Sequence, residues 1–278
     1  MRKIDNKTIS NAVSEALIKA NKMLPDDVYK ALNQALDKET SDLSKDVLGK
    51  IILNADIAKD EFIPMCQDTG MVVCFVEVGY DLKIEGDLYD AINKGVSNAY
   101  VKGYLRKSVA DPISRVNTKD NTPAIIHTKL VPGDKLVLKL APKGAGSENM
   151  SSVKMLTPAH GIEGIKKHVL EQVFQAGGKP CPPIIVGIGI GGNLEKSALL
   201  AKEALLRDLD DVNPDPVLNK LEETLLKEIN ELGVGPMGFG GKTTALAVKI
   251  AKYPTHIAAL PIAVNIQCHA VRHIIVEL

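Results

Sequence analysis

The chain has 278 residues, and its 34 basic side chains are balanced by 34 acidic ones, so the formal net charge is zero. This balance argues against nucleic-acid binding, because contacts to phosphates normally leave a basic excess or a basic stripe. It also removes the electrostatic attraction to an anionic membrane surface. Trp is absent and aromatic residues make up 4% of the chain, which leaves little to stack on single-stranded bases.

The apolar segments are too short for a membrane span, which needs about 18 residues. The N-terminal segment becomes polar at once and lacks the apolar stretch of a signal peptide. We therefore predict a cytoplasmic protein with no membrane contact. Thiols stay reduced in that compartment, so a disulfide framework is disfavoured.

Hydrophobic periodicity predicts helices and strands along the whole chain. The first helix with a clear apolar stripe begins at Pro25, with Val28, Leu32 and Leu36 on one face. Further helices are predicted after a cap at Ser41 or Asp42, over 87–104, 162–176, 194–206 and 216–232, and from Thr243 onward. Strands are predicted over 71–78, 124–130, 135–140, 184–190 and 257–266. Pro132-Gly133 predicts that the second and third of these strands form a hairpin.

This order of elements predicts a mixed α and β fold of the α+β class, with several helices packed around mixed or antiparallel sheets. No internal repeat, charged block or Ser/Pro linker divides the chain. Residues 1–278 are therefore predicted to form a single domain, with the helices of 1–60 as a candidate satellite layer.

Two glycine-rich segments resemble nucleotide-binding loops but lack the context that such loops require. Gly187-Ile-Gly-Ile-Gly-Gly192 satisfies G-x-G-x-x-G, yet no strand with a terminal acidic residue follows about 20 residues later. A tight strand-to-helix turn is therefore favoured over a dinucleotide site. In the segment 235–243, Pro236 occupies the position of the first P-loop glycine. Such a loop can still hold a carboxylate on its backbone N–H groups.

The four cysteines are the remaining candidates for chemistry, and none belongs to a C-x-x-C pair, which argues against a zinc ribbon. Cys74 lies within the strand 71–78 and is most simply a buried hydrophobe. Cys66 and Cys181 lie at turns and Cys268 follows a strand, so these three can converge on a shared site. Three thiolates are one short of the usual set for an iron–sulfur cluster, and the missing ligand would leave one iron open as a Lewis acid. Three unrelated structural cysteines are the alternative that the residues alone leave open.

Four short motifs stand in order along the chain. They are Cys66-Gln-Asp-Thr-Gly70, Lys143-Gly-Ala-Gly-Ser-Glu-Asn149, Gly187-Ile-Gly-Ile-Gly-Gly-Asn193 and Gly235-Pro-Met-Gly-Phe-Gly-Gly-Lys-Thr243. Together they resemble the iron-dependent class I fumarate hydratase family. The chain is similar, over 8–278, to the separate α subunit of two-subunit members and to the N-terminal half of single-chain members. The resemblance implies a [4Fe–4S] cluster on Cys66, Cys181 and Cys268, with Cys74 left over.

The resemblance also implies a hydro-lyase reaction, the reversible hydration of fumarate to (S)-malate, which belongs to the tricarboxylic acid cycle. It implies substrate contacts from Gln67, Arg106 and Gly146. It implies catalytic roles for Asp68 and His256. The alternatives are an N-cap for Asp68, a solvated helix-end cation for Arg106 and a capping or core role for His256.

In the family, the base that abstracts the proton belongs to a C-terminal portion beyond the matched region. The resemblance therefore implies a β subunit that carries the general base, a small dicarboxylate substrate and an α2β2 heterotetramer. The α subunit of a tartrate dehydratase is the close alternative. Fumarate is favoured because Gly144-Ala-Gly-Ser-Glu-Asn149 and Gly240-Gly-Lys-Thr243 resemble the fumarases more. A non-catalytic iron–sulfur or scaffold subunit is a second alternative. A nucleotide-binding enzyme is a third, and it depends on the two glycine loops alone.

Overall fold

Helical and strand periodicities alternate along the sequence, and the computed structural model, which describes residues 1–278, confirms the mixed α and β fold class. Contacts divide the chain into two compact units. Unit 1 comprises 1–25, 54–145 and 272–278, and unit 2 comprises 26–53 and 146–271. No helix combines the length and the apolar character that crossing a bilayer requires.

The elements begin and end close to the positions that their capping signals indicate. The helices are α1 (Asn6–Lys22), α2 (Asp26–Lys38), α3 (Asp42–Asp60), α4 (Leu88–Lys102), α5 (Ala145–Glu148), α6 (Gly161–Ala176), α7 (Leu194–Ala204) and α8 (Pro216–Glu231). The strands are β1 (Arg2–Asp5), β2 (Met71–Gly79), β3 (Leu82–Glu85), β4 (Ile125–Val131), β5 (Leu136–Lys143), β6 (Ser152–Leu156), β7 (Ile184–Gly191), β8 (Ala245–Tyr253), β9 (Leu260–Gln267) and β10 (Ile274–Glu277). Asp5, Asp87 and Asp215 cap α1, α4 and α8 by accepting N–H groups of the first turn.

In unit 1, β2 lies between the two strands that the Pro-Gly signal predicts to pair. The strand order is β10-β5-β2-β4, with β2 parallel to β4 and antiparallel to β5. The hairpin prediction is therefore wrong. Backbone carbonyl groups on either side of the Pro-Gly connection bond to the end of β2. The N–H of Gly79 donates to the Lys135 carbonyl and the N–H of Tyr80 donates to the Val131 carbonyl, both at 2.9 Å. The connection thus joins the two neighbours of β2 instead of two paired strands.

Helices α1 and α4 pack closely against each other in unit 1. A Cβ on Gly95 of α4 would lie 2.6 Å from the Cβ of Val13 and 2.7 Å from the carbonyl oxygen of Ser10. Only glycine permits this approach of the two backbones. The same helix buries Tyr100 completely, and burial raises the pKa of its phenol. The Tyr100 hydroxyl is therefore a protonated donor beneath the loop that carries Cys66.

In unit 2, the glycine motif of β7 packs the strand directly against α7. The strand order is β6-β9-β7-β8, so β7 is an interior strand. A Cβ on Gly187 would lie 2.2 Å from the carbonyl oxygen of Ala201, and one on Gly189 would lie 2.0 Å from that of Ser197. Both glycines are required by this contact. The tight strand-to-helix turn is confirmed, because β7 ends at Gly191 and α7 begins at Leu194.

The helix predicted from Thr243 is wrong, because this segment forms β8. The strand pairs in parallel with β7, so that Val248 lies opposite Val186 and Ile250 opposite Ile188. Val248 and Ile250 are both buried. Pairing and burial against a neighbouring strand outweigh the helical propensity of the Ala, Leu and Lys residues in this segment.

The loop 235–241 is held against a carboxylate, and that carboxylate belongs to the chain's own Glu39. The Oε2 atom of Glu39 accepts the N–H of Lys242 at 2.8 Å. Its Oε1 atom accepts the N–H groups of Thr40 and Ser41 at 2.8 and 3.1 Å. Burial alone would raise the pKa of Glu39, but these N–H bonds outweigh burial and hold the pKa below its ordinary value. The N–H group of Lys242, directly after the glycine loop, is thus paired with an internal carboxylate.

Residues 1–60 contribute to both units, since α1 lies in unit 1 and α2 lies in unit 2. A single cluster-binding domain over 1–278, with a helical satellite layer, stays a prediction.

Candidate active site

The loop between α3 and β2 carries three of the predicted site residues. Cys66 and Asp68 are partly exposed and Gln67 is exposed. The Sγ atom of Cys66 accepts the N–H of Asp68 at 3.4 Å. A hydrogen bond of this kind stabilises negative charge on sulfur, as a metal-ligating thiolate requires.

The end of this loop is fixed from inside unit 1. The Tyr100 hydroxyl donates to the carbonyl groups of Thr69 and Gly70, with oxygen–oxygen distances of 2.7 and 2.9 Å. The Thr69 hydroxyl donates to the carbonyl group of Arg106 at 3.1 Å. Because Thr69 and Tyr100 are buried, these bonds lie out of water and fix the loop geometry.

Arg106 lies on a second loop that Asn121 ties to the first. Asn121 is fully buried, with a φ of 64°. Its Oδ1 atom accepts the N–H groups of Ser108 and Val109 at 2.7 and 3.2 Å, and its Nδ2 group donates to the Gly70 carbonyl at 3.1 Å. The Arg106 side chain is exposed and therefore accessible to an anion. Unit 1 thus brings the loops of Gln67, Asp68 and Arg106 together, while their contacts with a substrate stay a prediction.

Asp68 links this loop to the Gly-Ala-Gly motif. Its Oδ1 atom accepts the N–H of Gly70 at 3.0 Å, and its Oδ2 atom accepts the N–H of Ala145 at 2.8 Å. The guanidinium of Arg272 donates to the Asp68 carbonyl at 2.5 Å. Both carboxylate oxygens therefore have fixed directions, and each keeps accepting capacity for a ligand.

In unit 2, Cys181 and Cys268 lie on neighbouring loops. The ring of His269 donates from Nδ1 to the Cys181 carbonyl at 2.9 Å. The Nε2 group of Gln267 donates to the Sγ atom of Cys268 at 3.4 Å. Both cysteines are partly exposed. Two of the predicted ligands thus come from loops that hydrogen bonds hold side by side.

Gly146 lies in α5, whose position is set by its neighbours. Ser147 is buried, and Glu148 forms an ion pair with Lys202. A Cβ on Gly146 would meet only the carbonyl oxygen of Lys179, at an ordinary contact distance of 3.8 Å. Packing within the chain therefore does not require glycine here. A substrate contact at Gly146 stays a prediction.

His256 lies exposed in the turn between β8 and β9. The Nδ1 atom of its ring accepts the N–H of Ala258 at 3.1 Å, and its carbonyl group accepts the N–H of Ala259 at 2.9 Å. Because a backbone N–H can only donate, the neutral ring carries its hydrogen on Nε2. His256 therefore presents a donor to solvent and is not part of a core.

The donor set fits an iron–sulfur group in chemical character. Cluster ligands must be accessible thiols, and Cys66, Cys181 and Cys268 are partly exposed and form no disulfide. Cys74 is wholly buried in β2, where burial raises the pKa of its thiol to about 12. No group of three or more His, Cys, Asp or Glu side chains is arranged to hold a metal ion. Unit 1 supplies Cys66 and unit 2 supplies the other two, so their joint ligation stays a prediction.

Three residues that shape this site escaped the sequence analysis. Tyr100 and Asn121 act through contacts between residues that are 30 and 51 positions apart, respectively, along the chain. Arg272 contacts Asp68 across 204 positions. The sequence offers one local signal for Arg272. It is a charged residue that follows apolar Val271, four positions after Cys268.

The chain matches known proteins over nearly its whole length. Residues 10–277 match the model of the fumarate hydratase (Fumerase) family. The chain is 44% identical, over 274 residues and 96% of each protein, to a Methanocaldococcus jannaschii protein provisionally named L(+)-tartrate dehydratase subunit alpha. It is 33% identical, over 253 residues, to the L(+)-tartrate dehydratase subunit alpha of Escherichia coli K12 and of Shigella boydii, which covers 90% of this chain and 84% of each relative. The chain therefore belongs to the fumarate hydratase family.

Proposed function

We propose that this chain is the cluster-binding α subunit of a hydro-lyase that interconverts a 2-hydroxy dicarboxylate and its dehydrated product, with (S)-malate and fumarate as the substrate pair. The observation that carries the proposal is the fixed carboxylate of Asp68, two residues from Cys66, in a chain that belongs to the fumarate hydratase family. In the dehydration direction, the C–O bond to the hydroxyl breaks, and a proton leaves the neighbouring carbon.

Asp68 and Gln67 are the groups that we assign to the hydroxyl end of the substrate. The two N–H bonds from Gly70 and Ala145 hold the Asp68 carboxylate in one orientation. Each of its oxygens can accept a further hydrogen bond, so the carboxylate can orient a substrate hydroxyl. The exposed amide of Gln67 can donate to a substrate oxygen or accept from one.

The substrate carboxylates require cations and N–H donors. Arg106 presents an exposed guanidinium, which can bind a carboxylate through two parallel hydrogen bonds. His256 presents an Nε2–H donor. Donors of this kind stabilise the negative charge that develops on a carboxylate when the adjacent carbon loses its proton.

Cys66, Cys181 and Cys268 are the residues that would hold the [4Fe–4S] cluster. When bound, such a cluster with three protein ligands supplies an iron with an open position, a Lewis acid for a hydroxyl oxygen. Ligands of this type must remain reduced thiolates, which supports a cytoplasmic location for the chain.

A β subunit is the partner that the proposal requires. The related proteins of similar length are named as alpha subunits. We assign the general base that takes the carbon-bound proton to that separate subunit, in an α2β2 assembly. A chain that binds the cluster but never completes a catalytic complex is the non-enzymatic alternative.

L(+)-tartrate is the second candidate substrate, because the related α subunits carry tartrate dehydratase names.

The deciding experiment is anaerobic co-expression with the β subunit, followed by turnover assays on (S)-malate, fumarate and both tartrate enantiomers. We expect kcat/KM for malate to exceed that for either tartrate by at least about tenfold, since a site shaped for one hydroxyl group discriminates against a second. Tartrate turnover without malate turnover would overturn the choice of fumarate. A cluster-loaded complex that is inactive on every substrate would support the non-enzymatic alternative.

Gly146→Ala is expected to weaken the reaction without weakening the fold. The added methyl group meets only a carbonyl oxygen at 3.8 Å, so we expect the melting temperature and the iron content to match wild type. If substrate approaches the backbone at Gly146, KM should rise by roughly tenfold or more, as the loss of a close backbone contact implies. Gly49→Ala, in α3, is the control, because its added methyl group meets nothing within 4 Å, its backbone needs no positive φ, and it belongs to none of the predicted site motifs. Unchanged kinetics for Gly146→Ala would remove Gly146 from the substrate site.

A further inference from the structure

Arg272 is a buried cation whose hydrogen-bonding capacity is only partly used. The residue is 2% exposed and lies in unit 1, two positions before β10. Its Nη1 group donates to the Asp68 carbonyl at 2.5 Å, while its Nε atom is buried without a hydrogen-bond partner. Burying a guanidinium with an N–H group that has no hydrogen-bond partner is costly. A charge retained under these conditions calls for an explanation beyond packing.

The rest of the guanidinium lies close to the carboxylate of Asp68. A Cβ on Gly144 would lie 3.0 Å from the Nη2 atom of Arg272 and 3.1 Å from the Oδ2 atom of Asp68. The two groups therefore flank the same glycine, and the absence of a side chain there lets both approach its backbone. Oδ2 is also the atom that accepts the N–H of Ala145.

These contacts fix Asp68 at three points. Arg272 holds its carbonyl, while Gly70 and Ala145 hold its carboxylate. The carbonyl contact sets the rotation of the peptide that follows Asp68. Without it, the residue can turn and lose both carboxylate contacts together.

We propose that Arg272 is a positioning residue that fixes the Asp68 main chain, and through it the direction of the Asp68 carboxylate toward substrate. The inference rests on the proposed function for its catalytic consequence. It goes beyond that function in naming a residue that no motif of the family resemblance includes.

The test compares Arg272→Met and Arg272→Lys in the reconstituted α/β complex. Met fills much of the same space without charge or donors, and Lys keeps the charge but loses the planar fork. Arg207→Lys in unit 2 is the matched control, because Arg207 is a partly buried arginine paired with Asp211 and Glu222. Arg207 contacts none of the predicted site residues, so its variant should change stability without changing the reaction.

Two readouts separate positioning from general stability. We expect Arg272→Met to lower kcat at least about tenfold with KM changed much less, at an iron content equal to wild type, and Arg272→Lys to recover part of the loss. We also expect amide exchange at Gly70 and Ala145 to accelerate at least about tenfold in Arg272→Met, because their N–H groups are held by Asp68. Arg207→Lys should leave both readouts at wild-type values.

Gly144→Ala provides an independent variant if Arg272→Met does not fold. The methyl group would force the Arg272 and Asp68 side chains apart by a few tenths of an ångström. It should therefore change the same readouts in the same direction, by a smaller factor. Wild-type amide exchange in Arg272→Met or Gly144→Ala would overturn the inference, whether or not the complex is active. An inactive wild-type complex with the expected exchange pattern would instead count against the proposed function alone.

Discussion

Replacing Cys66, Cys181 or Cys268 by serine, one at a time, is expected to abolish cluster assembly. Each change removes one of the three proposed thiolate ligands, and a serine hydroxyl is a poor ligand for iron in a sulfide-bridged cluster. The measurement is anaerobic reconstitution of the complex with iron and sulfide, followed by iron and sulfide analysis and visible absorbance. We expect each variant to retain only a minor fraction of wild-type iron and to lose activity with it.

Cys74→Ser is the matched control for these three variants. The Cys74 side chain is wholly buried in β2, where burial raises the pKa of its thiol to about 12, so it is not accessible to a cluster and its surroundings disfavour a thiolate. The serine hydroxyl will destabilise the fold by about 1–3 kcal/mol if it finds no partner, which thermal unfolding will report separately. Iron loss in Cys74→Ser equal to that of the other three, or a wild-type complex that takes up no cluster, would contradict the ligand assignment.

Many of the longer elements of the fold follow from local sequence, whereas their pairing does not. The period of apolar residues marks β2 and β7 because each is buried over most of its length. Pro132-Gly133 is a sound turn signal, but it says nothing about which strand lies beside which. In this chain β2 pairs with both neighbours of that turn, and such a partner, more than 50 residues earlier in sequence, is invisible to a local signal.

The segment after Thr243 shows the same limit for secondary structure. Its Ala, Leu and Lys residues favour a helix by propensity, yet β7 offers an edge at which they pair as β8. The sequence alone argued against a dinucleotide-binding role for the glycine motif of β7, because the acidic residue that such a site needs is missing at the required spacing. The contact that requires glycine there, between Gly189 and the Ser197 carbonyl, also joins residues that are close in sequence.

In the candidate site too, some residues could be predicted from local sequence and others could not. Cys66, Gln67 and Asp68 were identifiable because one short motif carries them. Arg272 was not, since its importance lies in one hydrogen bond to Asp68 and in its burial. An arginine is ordinarily exposed, so nothing in its local context predicts a buried guanidinium.

Asp68→Asn is expected to cause the largest loss of activity among variants that still bind the cluster. Both carboxylate oxygens accept a backbone N–H, from Gly70 and from Ala145. An asparagine can offer only one oxygen, so its amide N–H₂ must face one of these donors, and that hydrogen bond is lost. The side chain then turns away from its fixed direction and also loses its charge. We expect kcat to fall by roughly a hundredfold or more, with iron content unchanged and stability lowered by about 1–3 kcal/mol.

Asp87→Asn is the control that isolates this geometry. Asp87 also accepts a backbone N–H in unit 1, from Asp90 at 3.0 Å, but it does so through a single oxygen as the N-cap of α4. Asparagine serves equally well at that position, so kinetics and stability should stay close to wild type. Steady-state kinetics at saturating substrate, with iron determined on the same samples, decide the comparison. A cluster-loaded Asp68→Asn complex with kcat within a few-fold of wild type would mean that the carboxylate serves the loop as a structural cap, and the catalytic role would then have to pass to another group near Cys66.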